Sequence, residues 1–177
     1  MLSSSRPPVA FQAPEPKIRS GGSDDIDVDE CSHNLIHFNT FRTYGNECVD
    51  VKEGSYNNII EENVCEMQKD ENSGGFGLRG SDNIVRFNEI SSCDGAAVRI
   101  GGDKGFGKNN HVYGNKIREM GYGAFNLMST DHGEICDNEV SDATLVRTAG
   151  GVTQRISCGP VVFLTVFFCT CCRCGYY

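Results

Sequence analysis

The chain has 177 residues and a formal net charge of −8, with 10 Cys, 21 Gly and no Trp. This length fits one domain. The composition excludes a disordered polymer and a helical bundle, because 38% of the residues are hydrophobic and Gly is abundant. The acidic balance also argues against a general nucleic-acid binder, since such a protein needs a basic surface to displace counterions from phosphates. No nucleic-acid partner is therefore predicted.

The first 30 residues predict a disordered leader. Four prolines and an acidic stretch, residues 23–30, are typical of a solvated segment, so residues 1–30 are assigned to it. No apolar run of the required length follows Met1, and no signal peptide is visible in this chain.

A repeated pattern dominates the middle of the chain. Each copy reads Asn, apolar, Ile or Val, two variable residues and Asn; the copies begin at Asn34, Asn58, Asn83 and Asn110, with a degenerate copy from Gly133. A period of about 25 residues is typical of a solenoid, in which each repeat buries its apolar face against its neighbours. We expect the last Asn of each copy to stand at a corner, adopt left-handed backbone geometry and bond to the Asn above and below.

Alternation of apolar and polar residues predicts strands within each repeat. Inward positions recur two residues after the last Asn of each copy, at Phe41, Cys65, Ile90, Ile117 and Val140. A second inward series is Val49/Val51, Phe76/Leu78, Val98/Ile100 and Phe125/Leu127. The sequence therefore predicts an all-β fold: a parallel β-helix of about five coils over residues 31–149, with irregular tails at both ends.

These coils resemble the right-handed β-helix repeats of the pectin-lyase-like superfamily, over roughly Cys31 to Ala143. The resemblance implies a right-handed solenoid and an extracellular or cell-surface location. Members of that superfamily include lyases, hydrolases and adhesins, so the resemblance is specific for the fold and weak for the function. They usually have more coils, and we expect this chain to be a fragment of a longer solenoid or an incomplete gene product.

Two outward series carry the candidate functional residues. The positions before the inward residues form Asp50/Gly77/Arg99/Asn126, and the positions after them form Lys52/Arg79/Gly101/Met128. Lys52 and Arg79 are expected on neighbouring rungs, about 5 Å apart. Such a pair of cations suits the carboxylates of an acidic polysaccharide, with Asp50, Arg99 and Asn126 as further substrate-binding residues.

The same stretch resembles the active site of the alginate lyase and chondroitinase B family. Glu47 lies five residues before Lys52, and Leu78-Arg79-Gly80 supplies an Arg on the next coil. The resemblance implies β-elimination, in which Lys52 removes a proton with its pKa lowered by Arg79, and calcium held by Glu47 and Asp50 neutralises the sugar carboxylate. Gly45 stands where that family has a second acidic ligand.

Cysteine assignments stay open at this point. Cys65 and Cys93 fall in register with buried positions and are interpreted as small hydrophobic residues. Cys48 is out of phase with Val49 and Val51, and a disulfide among Cys31, Cys48 and Cys136 is one option.

Residues 150–177 are assigned to an apolar, Cys-rich tail outside the coils. Three interpretations are open: a membrane anchor over residues 156–172, a metal or disulfide knot, or translated sequence that does not belong to the fold. A membrane partner follows only from the first of these.

Two functional hypotheses follow. In the first, the β-helix binds an acidic polysaccharide on its sheet face and, in the lyase version, cleaves it with calcium as the only cofactor. In the alternative, it is a non-catalytic structural or cell-surface β-helix protein. The sequence leaves open whether the protein is an enzyme, which sugar it binds and its oligomeric state.

Overall fold

The protein is described from a computed structural model over residues 17–19, 26–102, 107–128, 130–144, 146–149 and 153–156. This part of the chain contains only β-strands as regular secondary structure. The first six are β1 (Lys17–Arg19), β2 (Ile26–Asp29), β3 (Leu35–His37), β4 (Thr40–Arg42), β5 (Val49–Val51) and β6 (Ile59–Glu61). The next six are β7 (Val64–Glu66), β8 (Gly74–Leu78), β9 (Ile84–Arg86), β10 (Glu89–Cys93), β11 (Ala96–Gly101) and β12 (His111–Tyr113). The last six are β13 (Lys116–Met120), β14 (Gly123–Met128), β15 (Asp131–Cys136), β16 (Glu139–Ser141), β17 (Val146–Ala149) and β18 (Thr153–Ile156).

The strands form three sheets that run the length of a solenoid. The large sheet has the order β1-β2-β5-β8-β11-β14-β17, and all of its pairs are parallel except β1 with β2. The middle sheet has the order β18-β15-β12-β9-β6-β3, and the small sheet has the order β16-β13-β10-β7-β4. One strand from each sheet makes one turn, so the prediction of an all-β parallel β-helix is confirmed.

Stacked apolar residues fill the interior. Val51, Leu78, Ile100 and Leu127 pair on successive strands of the large sheet and are fully buried. The series Phe41, Cys65, Ile90, Ile117 and Val140 pairs in the same way in the small sheet. Both predicted inward series are therefore confirmed. Short strands with one buried residue in three are stable here because each turn covers the apolar residues of the next.

Two ladders of asparagines stabilise the corners on either side of the middle sheet. The first ladder, before the middle sheet, comprises Asn34, Asn58, Asn83 and Asn110, and the second, after it, comprises Asn39, Asn63, Asn88, Asn115 and Asn138. In the second ladder, the side-chain amide of Asn63 donates a hydrogen bond to Oδ1 of Asn88, and that of Asn88 donates to Asn115, at 3.1 and 2.9 Å. The backbone N–H of each Asn donates to the same oxygen. These bonds satisfy buried backbone donors that the tight corner would otherwise leave unpaired.

The predicted backbone geometry of this corner is wrong by one residue. Positive φ values fall on the residue before the Asn, at Phe38 (55°), Glu62 (54°) and Phe87 (56°). The Asn side chain has to point along the solenoid axis to form the ladder, and so the preceding residue makes the turn.

A disulfide joins Cys48 to Cys65 on the next turn, with Cα atoms 6.1 Å apart. Cys65 is therefore more than a small hydrophobic residue, and Cys48 pairs with a partner that the sequence pattern assigned to the core. Cys48 precedes β5, where strand alternation does not apply, and it is fully buried. Cys93 is a buried free thiol in the described part of the chain.

The strands extend beyond the predicted boundaries of the β-helix. Strand β2 lies in the stretch assigned to the leader and pairs in parallel with β5. Strand β18 lies in the stretch assigned to the tail and pairs with β15. Most of the predicted leader and tail, including residues 157–172, lies outside the described residues. Across the described residues, no helix is long and apolar enough to span a membrane.

Candidate functional site

The outward series predicted for the large sheet is correct in register. Asp50 pairs with Gly77, Gly77 with Arg99, and Arg99 with Asn126. The series continues at both ends, since Asp27 pairs with Asp50 and Asn126 pairs with Arg147. These positions therefore form one straight row along the solenoid axis, with a spacing of about 4.8 Å.

Asp50 is the centre of a charged cluster on this face. Asp50 as a whole is only 1% exposed. Lys52 Nζ lies 2.7 Å from Oδ2 of Asp50, and Arg79 forms an ion pair with the same oxygen. Arg79 also donates from Nε to Oδ1 at 3.2 Å. The structure thus brings Lys52 and Arg79 together as predicted, with a buried carboxylate between them that removes their mutual repulsion.

Asp27 completes the surroundings of Lys52. Its Oδ1 lies 2.8 Å from Lys52 Nζ, so the ammonium group is held between two carboxylates. Sequence reasoning missed Asp27 because the acidic run around it suggested a solvated leader. The signal was present: Ile26-Asp27-Val28 repeats the pattern of Val49-Asp50-Val51, and the two segments pair residue for residue.

Two carboxylates change the proton affinity of Lys52. Burial by itself lowers the pKa of Lys52, but the hydrogen bonds and charges of Asp27 and Asp50 outweigh it and raise this pKa above that of an ordinary Lys. The expected lowering by Arg79 does not occur, because the two nearer carboxylates dominate. A general base must lose its proton near neutral pH, and this environment has the opposite effect.

A second pair bridges two strands across a glycine. Nη1 of Arg99 lies 3.8 Å from Oε1 of Glu47, a residue that is almost fully buried. The strand between them carries Gly77; a Cβ on Gly77 would lie 3.2 Å from Cγ of Glu47 and 3.0 Å from Oδ1 of Asp50. Gly77 therefore leaves the space into which both acidic side chains fold, and Arg99 reaches Glu47 over it.

The two predicted calcium ligands lie side by side over Gly77, and each is already paired with cations. Glu47 faces Arg99, and Asp50 faces Lys52 and Arg79. Calcium takes six to eight oxygen ligands. Among the described residues, no group of three His, Cys, Asp or Glu side chains could hold a metal ion.

The cluster as a whole is almost neutral. We call Asp27, Glu47, Asp50, Lys52, Glu53, Arg79 and Arg99 the charged face. It contains three cations and four carboxylates. Arg99 has the fewest partners of the three cations within the described residues: its Nε is buried without a hydrogen-bond acceptor. Its neighbour Asn126 is largely buried beside it.

Comparison with known proteins identifies a family for this chain. Residues 17–155 match the family described as periplasmic copper-binding protein (NosD). No curated protein and no solved structure gives a significant match. The match begins at β1 and ends within β18, and so it covers the same stretch as the described solenoid. This chain therefore belongs to the NosD family of right-handed parallel β-helix proteins.

Proposed function

We propose that this protein is a non-catalytic β-helix module of the cell envelope that binds an acidic polysaccharide on its charged face. Membership of a family described as periplasmic supports the location outside the cytoplasm. The disulfide between Cys48 and Cys65 supports it independently, since such bonds persist in oxidising compartments.

The position of Lys52 carries the non-catalytic part of the proposal. In β-elimination a lysine must take a proton from the sugar ring. Here the Nζ of Lys52 lies within 2.8 Å of oxygens from both Asp27 and Asp50, and its pKa is raised. Lys52 and Arg79 thus form a structural ion-pair network around Asp50 rather than a base and its activator.

The proposed binding of an acidic polysaccharide rests on Arg79 and Arg99. Their side chains are 24% and 18% exposed, so their outer edges reach solvent from two neighbouring rows on the same face of the large sheet. The long contact between Arg99 and Glu47 leaves a sugar carboxylate able to compete for the guanidinium. Because the charged face is almost neutral, we expect this binding to be weak and sensitive to salt.

Copper is not part of this proposal. The family description names copper, and soft Cys and Met sulfurs or imidazoles are its preferred ligands. In the described part of the chain, Cys31 and Cys93 are both buried, and neither belongs to a group of three possible metal ligands. The same is true of the imidazoles of His33, His37 and His111. These residues do not fit a copper centre. Calcium is also left out, because Glu47 and Asp50 are already paired with cations.

Two assays on the same full-length chain test the proposal. The first measures the ultraviolet absorbance of unsaturated uronides with alginate, pectate and chondroitin, with and without calcium. We expect no increase. An increase that is lost in Lys52→Ala would show that the protein is a lyase and overturn the non-catalytic part.

The second assay measures retardation of the protein in gels that contain the same polysaccharides. We expect retardation that weakens in Arg99→Gln and persists in Arg42→Gln. Arg42 is a matched control, since it is an exposed arginine on the small sheet that also pairs with a glutamate. Equal losses in both variants, or no retardation of a folded wild-type protein, would contradict the binding part.

A further inference from the structure

We infer that a cleft on the edge between the small sheet and the large sheet is a binding site for a neutral oligosaccharide. Residues 44–46, 69–72, Asp94 and 121–122 line this cleft, which we call the turn cleft; its volume is about 950 Å³. It is separate from the charged face and shares no residue with it. The inference is thus independent of the proposed function.

Unequal connections between strands create the turn cleft. The chain needs residues 43–48 to pass from β4 to β5 and residues 67–73 to pass from β7 to β8. The next two passages use only residues 94–95 and 121–122. Successive turns are otherwise in register, and so the two long connections stand out beside the two short ones. The step between them forms the concave surface.

A buried glutamine fixes the long connection of the second turn. Gln68 is 0% exposed and donates from Nε2 to the carbonyl of Asp70 at 2.6 Å. Its Oε1 accepts a hydrogen bond from the N–H of Gly95 on the next turn at 3.0 Å, and its carbonyl accepts one from Asp94 N–H at 2.8 Å. The wall of the cleft is therefore held in place before any ligand arrives, which lowers the entropic cost of binding.

Two tyrosines mark the ends of the turn cleft. Tyr44 belongs to the first turn and Tyr122 to the fourth, so three rungs separate them, about 14 Å along the axis. That span fits a short oligosaccharide. Tyr44 is 71% exposed, and its hydroxyl lies 3.9 Å from the sulfur of Met67. A tyrosine ring offers an apolar face to the C–H side of a sugar and a polar tip to its hydroxyls.

The side chains between the tyrosines select against an acidic sugar. Asp70, Glu71 and Asp94 contribute three carboxylates, and Lys69 contributes the one cation of the lining, 3.1 Å from Asp94. The remaining negative charge repels a uronic acid. Carboxylates accept hydrogen bonds, and amides such as that of Asn72 also donate them, so this lining suits the hydroxyl groups of uncharged rings.

Tyrosine fluorescence of the full-length chain tests this inference, because the chain has 6 Tyr and no Trp to mask them. The probes are cellohexaose, laminarihexaose, mannohexaose and N-acetylated chitohexaose, with tetragalacturonate as the acidic comparison. Binding is confirmed by titration calorimetry. We expect at least one neutral hexasaccharide to bind and tetragalacturonate not to bind at this cleft.

Variants locate the binding site. We expect Tyr44→Ala and Tyr122→Ala each to weaken binding roughly tenfold or more, as truncation of an aromatic anchor does. Tyr56→Ala is the matched control, since Tyr56 is an exposed tyrosine on a different corner, and binding should not change. No binding by any neutral hexasaccharide, or equal binding by all three variants, would overturn the inference. Arg99→Gln should leave this binding intact, which separates it from binding at the charged face.

Discussion

Lys52 and Asp50 lie two residues apart on one strand end, with Nζ and Oδ2 separated by 2.7 Å. Asp50 is buried, and Arg79 from the next turn binds the same carboxylate. A buried carboxylate depends on its cations for neutralisation, and the two cations depend on the carboxylate between them to offset their mutual repulsion. This mutual dependence ties together three successive turns of the solenoid, because Lys52 also binds Asp27 on the preceding turn.

We expect Asp50→Asn to lower the free energy of unfolding by about 3 kcal/mol, because it leaves Lys52 and Arg79 close together without the charge between them. Glu53→Gln is the control, since Glu53 lies 4.0 Å from Arg79 and is partly exposed; its effect should stay below about 1 kcal/mol. Urea unfolding followed by circular dichroism measures both. Similar effects in the two variants would contradict a central role for Asp50.

The raised pKa of Lys52 predicts a specific pH dependence. A group whose pKa is higher in the folded state adds stability below its ordinary pKa, and this stability is lost as the pH rises through the folded value. Wild type should therefore exceed Lys52→Met in stability by about 2 kcal/mol up to about pH 10. The difference should shrink at higher pH. A difference that grows with pH would show that Lys52 is not held as an ammonium ion.

The disulfide should contribute strongly to the free energy of unfolding, because it closes a loop between cysteines with a sequence separation of 17 residues. We expect the Cys48→Ala, Cys65→Ala double variant to lose about 3 kcal/mol, and reductant to weaken wild type but not the variant. Denaturant midpoints with and without reductant measure this. A wild type that is insensitive to reductant after full unfolding and refolding would argue against the bond.

Alkylation and peptide mapping test the pairing directly. Burial raises the pKa of Cys93 to about 11, so this thiol is protonated and unreactive in the folded protein at neutral pH. In denaturant without reductant, Cys93 should be alkylated while Cys48 and Cys65 are not. Labelling of Cys48 under these conditions would contradict the assignment.

An asparagine in the interior of the second ladder should contribute more to the stability of the protein than one at its end. Asn88 accepts hydrogen bonds from Asn63 and donates to Asn115 and to the carbonyls of Ile60 and Arg86. Asn88→Ala leaves several buried groups unpaired, and we expect a loss of about 3 kcal/mol. Asn39 begins the ladder and is exposed, so Asn39→Ala should cost about 1 kcal/mol. Thermal unfolding compares the two, and equal losses would contradict this ranking.

The repeat in the sequence was enough to predict the solenoid and its register. Ile, Val, Phe and Leu recur at a fixed distance in each copy, and only stacked parallel turns bury all of them at once. The row Asp50, Gly77, Arg99 and Asn126 follows from that register alone, because side chains alternate across a strand. The closeness of Lys52 and Arg79 was predictable for the same reason.

Pairing across the interior and between strand ends depends on tertiary structure. Cys48 reaches Cys65 because the chain turns inward before β5, where alternation gives no guidance. Asp27 reaches Lys52 because the acidic run joins the large sheet as β2, and this contact raises the pKa that a lyase would need lowered. The turn cleft arises from differences in connection length between turns. Periodicity in a sequence fixes what repeats, whereas these features depend on where the repeats differ and on distances in three dimensions.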